Sequence, residues 1–414
     1  VDLPDVDWIM MSTTHLDSDH DVATAVDSHS VLHSRRYSLA QIGGDGIGPE
    51  VLAEARRCLE ALAPVFGFEV GFHEYDLGAE LYLRTGELIT DQVLASLREH
   101  DAILIGAVGD PRVEPGILER GLILRIRTEF DLAVNVRPAQ LFPGVPTLVK
   151  GLTPDRCDLV IVRENTEGMY TGDGFTSREN SQWATAVQLS LNTRHAIGAS
   201  VEFAFKLAQR RRRKLTLCHK TNILLEAGKL WWDTVREIGE GYPDVAIDYV
   251  HADACSVYLV EQPERFDVIV TDNLFGDILS DLAAVVQGGL GLAPSANLNL
   301  TGTAPSMFEP VHGSAPDIAG TGWANPTGAI FAAAMCLSHL GEKDAARALE
   351  WATIVVLGTL GAMRGSGMGC TTAEIGDRIL AELSQREADT RDAPRGSALE
   401  GVYRSCTDLT LQKG

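Results

Sequence analysis

Short runs rich in valine, isoleucine and leucine recur along the chain, separated by stretches with helical spacing. YSLAQIG, from Tyr37, reads as a buried strand. GDGIGPEV follows as a glycine-rich turn, with Pro49 placed for the first turn of a helix. EVLAEARRCLEALAPVFG carries apolar residues at helical spacing and stops at Gly67. FEVGFHEY, DAILIGAVG, LVIVRE, KLTLCHK, VAIDYVHAD and DVIVTDN then read as strands, and LITDQVLASLREH as a helix between the first two. Continuous apolar runs of this kind belong to strands buried on both faces, so the fold class is α/β with helices flanking a large sheet. From about Gly328 the pattern turns helical, and it loses its period from Ser384. Residues 1–36 and 386–414 lack such a pattern and are expected to be a disordered extension and a mobile tail.

The 414 residues are 45% hydrophobic and 22% charged, enough for a large core and two or three domains' worth of chain. The net charge, −22, argues against nucleic acid, because a phosphate backbone demands clustered Lys and Arg. The one basic block, Arg210–Lys214, ends a helical stretch and reads as surface charge at a helix C-terminus. Seven cysteines lie far apart at 58, 157, 218, 255, 336, 370 and 406. They read as reduced core residues of a cytoplasmic protein. No apolar run approaches the ~20 residues of a membrane span, and the acidic start does not read as a signal peptide.

Candidate chemistry sits at the ends of the predicted strands. The glycines at 43, 44, 46 and 48 do not make a G-x-G-x-x-G dinucleotide fingerprint, because position 49 is proline. The turn reads equally as a phosphate contact or a plain strand-to-helix connection. In TDNLFGDILSDL, Asp277 and Asp281 stand four apart on a predicted helix among apolar neighbours. Two carboxylates on such a face suit Mg²⁺ or Mn²⁺; the other reading makes Asp277 a helix cap and leaves Asp281 exposed. Arg127, Arg137 and Arg163 lie beside strand-like segments, where a planar fork suits carboxylate recognition and a surface ion pair is the alternative. Tyr170 follows Arg163 across ENTEGMY. Lys220, in HKTN, ends a strand where desolvation can prepare a base, and Asp253 is read as ending another. The loop FEPVHGSAPDIAGTGWANPTGA, 308–329, is long, mixed in polarity and of the kind that carries function.

In this order, GDGIGPEV, NVRP, VRENTEG-x-Y, HKTN, NLFGDILSD and FEPVHGSAPDIAG resemble the β-decarboxylating dehydrogenases, the isocitrate/isopropylmalate family. The resemblance runs from Tyr37 to Leu383. It implies a two-domain fold that is not a Rossmann domain. A first domain would comprise 37–132 with 288–385, and a central domain, 133–287, would carry the dimer contacts. It further implies a homodimer with shared sites. Arg127, Arg137 and Arg163 would clamp a malate-type substrate, and Asp277 and Asp281, with Asp253 of a second copy, would hold Mg²⁺ or Mn²⁺. Lys220 of the second copy, in a catalytic network with Asp253, would promote loss of the hydroxyl proton, and Tyr170 would protonate the enol carbon. His312, Gly313, Ser314, Ala315, Asp317, Ile318 and Asn325 match the cofactor positions, with Asp317 favouring NAD over NADP. A glutamate that isopropylmalate-type enzymes place near the nicotinamide ribose has Glu119 as its nearest candidate, in shifted register.

Isocitrate relatives carry Ser-x-Asn where this chain has Gly121 and Ile123. Ile123 and Leu124, with Ile223 of the second copy, would instead form an apolar pocket for a branched C3 substituent; plain helix packing is the alternative. The first expectation is therefore 3-isopropylmalate, and with it leucine biosynthesis. RTEFD, LFPGVP and APSANLN look more like tartrate/D-malate dehydrogenases, and homoisocitrate or another malate analogue also fits. A non-catalytic regulatory subunit would be expected to lose ligands or the base, and here all are intact.

Overall fold

The structure, a computed structural model, describes residues 35–386. Twelve strands form in chain order: β1 Arg35–Gly44, β2 Phe68–Tyr75, β3 Ala102–Ala107, β4 Val134–Gln140, β5 Asp158–Glu164, β6 Gly174–Ser177, β7 Thr185–Gln188, β8 Lys214–His219, β9 Ala246–His251, β10 Val268–Thr271, β11 Pro294–Leu298 and β12 Ser306–Pro310. The helices are α1 Gly48–Phe66, α2 Ala79–Thr85, α3 Asp91–Leu97, α4 Arg125–Glu129, α5 Arg194–Arg210, α6 Leu225–Gly239, α7 Ala252–Glu261, α8 Asn273–Val286, α9 Thr327–His339, α10 Lys343–Leu357 and α11 Thr372–Arg386.

Ten strands make one mixed sheet in the order β2-β1-β3-β12-β11-β4-β5-β10-β8-β9, and β6 and β7 pair separately. The four strands from β2 to β12 run parallel, as do the four from β5 to β9. Strands β11 and β4 form the seam, each antiparallel to both neighbours, so the two parallel blocks run in opposite directions. Strands β3 and β10 are buried along their whole length, which is why their sequences lack polar alternation; β11 is equally buried but carries Ser295 and Asn297. Helices α1 and α9 pack beneath the first block, and α9 is buried along almost its full length.

Several expectations shift at their edges. β1 begins at Arg35, inside the expected extension, because Arg35 donates to Phe66 O at 2.9 Å and pairs with Glu342. α11 continues to Arg386, past the point where periodicity was expected to end; the remaining terminal residues, with Cys406, lie outside those described. Asp253 does not end a strand: β9 closes at His251, and Asp253 sits in the first turn of α7. The basic block is not simply surface charge. The Arg211 side chain is 4% exposed, with Nε 2.8 Å from the buried Asp267 and Nη2 2.6 Å from Asp158, so it stitches the end of α5 to the starts of β5 and β10. The six described cysteines are buried and unpaired.

Candidate active site

The cluster begins at α8. Asp272 caps it, with Oδ1 accepting from Phe275 N at 2.8 Å. That frees Asp277 from capping, and its carboxylate projects from the second turn toward β5. Arg163, one residue from the end of β5 and 1% exposed, donates Nη1 to Asp277 Oδ1 at 2.5 Å. Its Nε and Nη2 reach Asn273 Oδ1 at 3.0 and 2.7 Å. Gly276 is required here, since a Cβ would lie 2.6 Å from Arg163 Cγ. Arg137, inside β4, donates Nη1 to Ser280 Oγ at 2.7 Å and stands 3.4 Å from Asp277 and 3.8 Å from Asp281. Tyr170 donates its hydroxyl to Asp277 Oδ2 at 2.9 Å, and its ring lies under the Arg163 guanidinium. Arg127, on the helix before β4, pairs at 3.0 Å with Glu309, the buried acid of β12.

All three arginines are buried, so none is the surface ion pair that each resembled singly. Burial would raise the Asp277 carboxyl, but Arg163, Arg137 and the Tyr170 hydroxyl overcome this and hold it below the usual carboxylate range. Asp281 has weaker help and burial pushes it up. Burial, then repulsion from Arg163, lowers Arg137 to about 10. Burial keeps the Tyr170 hydroxyl protonated to higher pH than usual. The Nε groups of Arg127 and Arg137 are buried without hydrogen-bond partners. Such donors cost free energy unless something accepts from them.

Lys220 and Asp253 pair with each other, Nζ to Oδ1 at 2.6 Å, and do not join this cluster. Among the described residues no group of three or more His, Cys, Asp or Glu side chains is disposed to hold a metal. The Lys220 backbone is clasped by Tyr249, whose hydroxyl lies 3.1 Å from His219 O and Thr221 N and 2.8 Å from Thr221 Oγ1 and His251 Nδ1.

The 308–329 loop folds onto the glycine turn. Ile47 N donates to Ser314 O at 2.9 Å, and Asp45 N donates to Ala107 O at 2.6 Å. These amides and that of Gly48 are spent on protein carbonyls, which settles those positions as a strand-to-helix turn. Asp45 is buried and accepts from Ala79 N and Gly109 N at 2.7 and 2.9 Å. In the loop, His312 keeps a buried Nε2 without a partner, Ala315 holds a φ of +41°, and Asp317 is exposed. Asn325 is committed to the loop itself, donating to Met363 O and accepting from Thr327.

Glu119–Leu124 form a π-type turn, which takes about one residue more per turn than an α-helix. Glu119, eight residues before Arg127, therefore takes the angular place of a residue seven before it, two α-helical turns away. Of the pocket candidates, Ile123 packs on the core around Phe130, Leu124 is half-buried, and Ile223 is 68% exposed. Sequence reasoning missed Glu309, Asn273, Tyr249 and Asp45. Glu309 and Asn273 lay inside quoted motifs, but nothing local marks a residue as the partner of an arginine far away in the chain.

Residues 38–379 match the family model described as isocitrate/isopropylmalate dehydrogenase. The 3-isopropylmalate dehydrogenase of Corynebacterium glutamicum is 54% identical over 346 residues, covering 83% of this chain and 99% of that protein. That of Mycobacterium leprae is 54% identical over 345 residues, with the same coverage. Among solved structures, isocitrate dehydrogenase from Methylococcus capsulatus aligns with a TM-score of 0.76 at 38% identity, over 84% of this chain and 99% of that one. The TT0538 protein from Thermus thermophilus aligns at 0.74 and 32% identity, over 86% and 70%. With its arginines, aspartates and tyrosine gathered at the seam of this sheet, the chain belongs to the isocitrate/isopropylmalate dehydrogenase family.

Proposed function

We propose that this protein oxidises and decarboxylates 3-isopropylmalate with NAD and Mg²⁺ or Mn²⁺, as a homodimer with shared sites between two domains. The observation that carries the reading is the pair of buried, unpartnered Nε donors on Arg127 and Arg137. They belong to a cluster whose charges otherwise cancel: three arginines against Asp277, Asp281 and Glu309. A divalent cation on the two aspartates leaves the cluster an excess of two positive charges, which a dicarboxylate neutralises. The cation fits because Asp277 and Asp281 are hard oxygen donors on one helix face, and Asp253 of the second copy would complete the set. NAD fits the 308–329 loop, where the idle buried Nε2 of His312 awaits a partner and Asp317 stands where a 2′-phosphate would meet like charge. Bound there, the cation would supply Lewis acidity and NAD a hydride acceptor.

The residues of the chain do the rest. Arg127, Arg137 and Arg163 orient the carboxylates. Lys220 of the second copy takes the 2-hydroxyl proton as C2 is oxidised to a ketone. After CO₂ leaves, the Tyr170 hydroxyl delivers a proton to C3. Exposed apolar side chains support the dimer. Of the seventeen large ones among the described residues, fourteen fall within 133–287, including Phe175, Trp183, Ile223 and Leu225. Gly121 argues against isocitrate: a Cβ there would meet Leu88 Cδ1 at 2.1 Å, so a serine needs Leu88 to turn away.

The test is kcat/KM for 3-isopropylmalate, isocitrate, homoisocitrate, D-malate and tartrate, each with NAD and NADP. The expectation is at least ~10-fold preference for 3-isopropylmalate over D-malate, the least an apolar pocket provides, and for NAD over NADP. A smaller substrate ratio removes the assignment.

A further inference from the structure

The end of β8 and the start of α8 meet through a contact that the proposed chemistry does not use. His219, the last residue of β8, is fully buried, and neither ring nitrogen has a hydrogen-bond partner. Its Nε2 stands 3.5 Å from Oδ2 of Asp272, a close approach without hydrogen-bond geometry. Its ring meets Phe275 edge-on at 5.7 Å between centroids, with Trp231 beside it at 5.9 Å. Asp272 and Phe275 are the cap and the first turn of α8. A leucine would fill this space without burying two idle nitrogens, so packing alone does not account for the imidazole.

Different parts of the machinery hang on the two sides of this contact. Lys220 follows His219 directly, and its pairing with Asp253 fixes where the ammonium points. Beyond Asp272, the first turns of α8 carry Asn273, which holds Arg163, and then Asp277 and Asp281. We infer that His219 is a positioning residue that sets the Lys220 end of β8 and the carboxylate face of α8 relative to each other. The inference rests on the shared-site reading above. There, Lys220 of one chain serves the second chain's site, whereas Asp277 and Asp281 of that same chain serve its own. His219 thus stands between one chain's contributions to two sites, and a single lesion damages both.

Hybrid dimers separate the possibilities. Wild-type chain and variant chain carry different affinity tags, and the mixed dimer is purified through both. A Lys220→Ala hybrid keeps one intact site and about half the wild-type kcat. A His219→Leu hybrid has a displaced lysine in one site and displaced carboxylates in the other, so it falls to about a tenth or less. His219→Gln, whose amide can approach Asp272, recovers activity to at least about half. Independently of turnover, the Mn²⁺ affinity of the His219→Leu homodimer, read from the electron paramagnetic resonance of free Mn²⁺, weakens about tenfold. His219→Asn, too short to reach Asp272, replaces His219→Leu if the latter does not assemble. A His219→Leu hybrid that matches the Lys220→Ala hybrid, with Mn²⁺ affinity unchanged, overturns the inference. The shared-site reading has its own test in a hybrid of a Lys220→Ala chain with a Tyr170→Phe chain: shared sites place both lesions in one site and keep about half the wild-type kcat, and no activity there overturns that reading and this inference with it.

Discussion

Gly46 tests how the 308–329 loop is held against the glycine turn. Its φ is +58°, and a Cβ there would lie 1.9 Å from Ser314 O. Gly46→Ala therefore carries two costs. A left-handed backbone costs a non-glycine residue about 1–2 kcal/mol. In addition, the Ser314 carbonyl must retreat by about 1 Å to reach ordinary contact, which weakens the Ile47–Ser314 hydrogen bond, worth about 1 kcal/mol. Gly67 isolates the first cost, since its φ is +71° and nothing lies within 4 Å of its would-be Cβ. Gly67→Ala should lose about 1–2 kcal/mol and Gly46→Ala about 2–3, measured by urea unfolding. The kinetic contrast is larger. A shift of about 1 Å in the segment from His312 to Ile318 lowers kcat/KM for NAD by roughly 100-fold, while Gly67→Ala leaves it within about twofold. Equal stability losses and equal NAD kinetics in the two variants would refute the idea that the Ser314 contact sets the loop.

Two further outcomes follow from the site's electrostatics. Asp277→Asn removes a charged oxygen donor and should weaken Mg²⁺ affinity by about 10–100-fold, read by calorimetry; full wild-type activity in excess chelator would remove the metal role altogether. Burial lowers His219 and His339 to about 4, so between pH 6.5 and 4 the unfolded chain binds more protons and stability falls as pH falls. Asp272, pushed up to about 6 by burial, takes up its proton in the folded state and offsets part of this. His339→Gln should flatten the urea midpoint between pH 7.5 and 5, by at most about 2 kcal/mol in stability; an unchanged pH profile would sink the argument.

The strands of the parallel blocks were legible because burial on both faces writes itself as an unbroken apolar run, as in LVIVRE and DVIVTDN. Strands β11 and β12 were not legible. They read PSANL and SMFEP, with prolines at their outer ends and polar residues inside. Those polar residues are buried but paired: Asn297 donates to Glu309 and accepts from Asn135 and Asn165. Such a network ties side chains of β4, β11 and β12 to Asn165, just beyond β5, and no local pattern announces it. The same holds for the arginines, whose partners lie more than a hundred residues away, and for Arg211, hidden in a block that looked like surface charge. Asp277 was recognised as a candidate ligand, but its freedom depends on Asp272 taking the cap. Two aspartates five residues apart in sequence do not say which does which.

The three arginines are not equivalent. Arg163 has all three guanidinium nitrogens committed, two to Asn273 and one to Asp277, whereas Arg127 and Arg137 each keep a buried Nε free. A substrate carboxylate would find idle donors on Arg127 and Arg137, but it would engage Arg163 only if Asp277 loosens its hold. A divalent cation drawing on the Asp277 oxygens loosens it. Cation and dicarboxylate should therefore strengthen each other's binding, and by linkage the two effects are equal. Malonate, a dicarboxylate that cannot be oxidised here, provides the probe. Its affinity should rise about tenfold when Mn²⁺ is present, and Mn²⁺ affinity should rise by the same factor with malonate. In Asn273→Ala, Arg163 rests on Asp277 alone, and that factor should change. Malonate affinity that is indifferent to Mn²⁺ would mean that Asp277 does not mediate between the two charges, and that Arg163 serves the helix rather than the substrate.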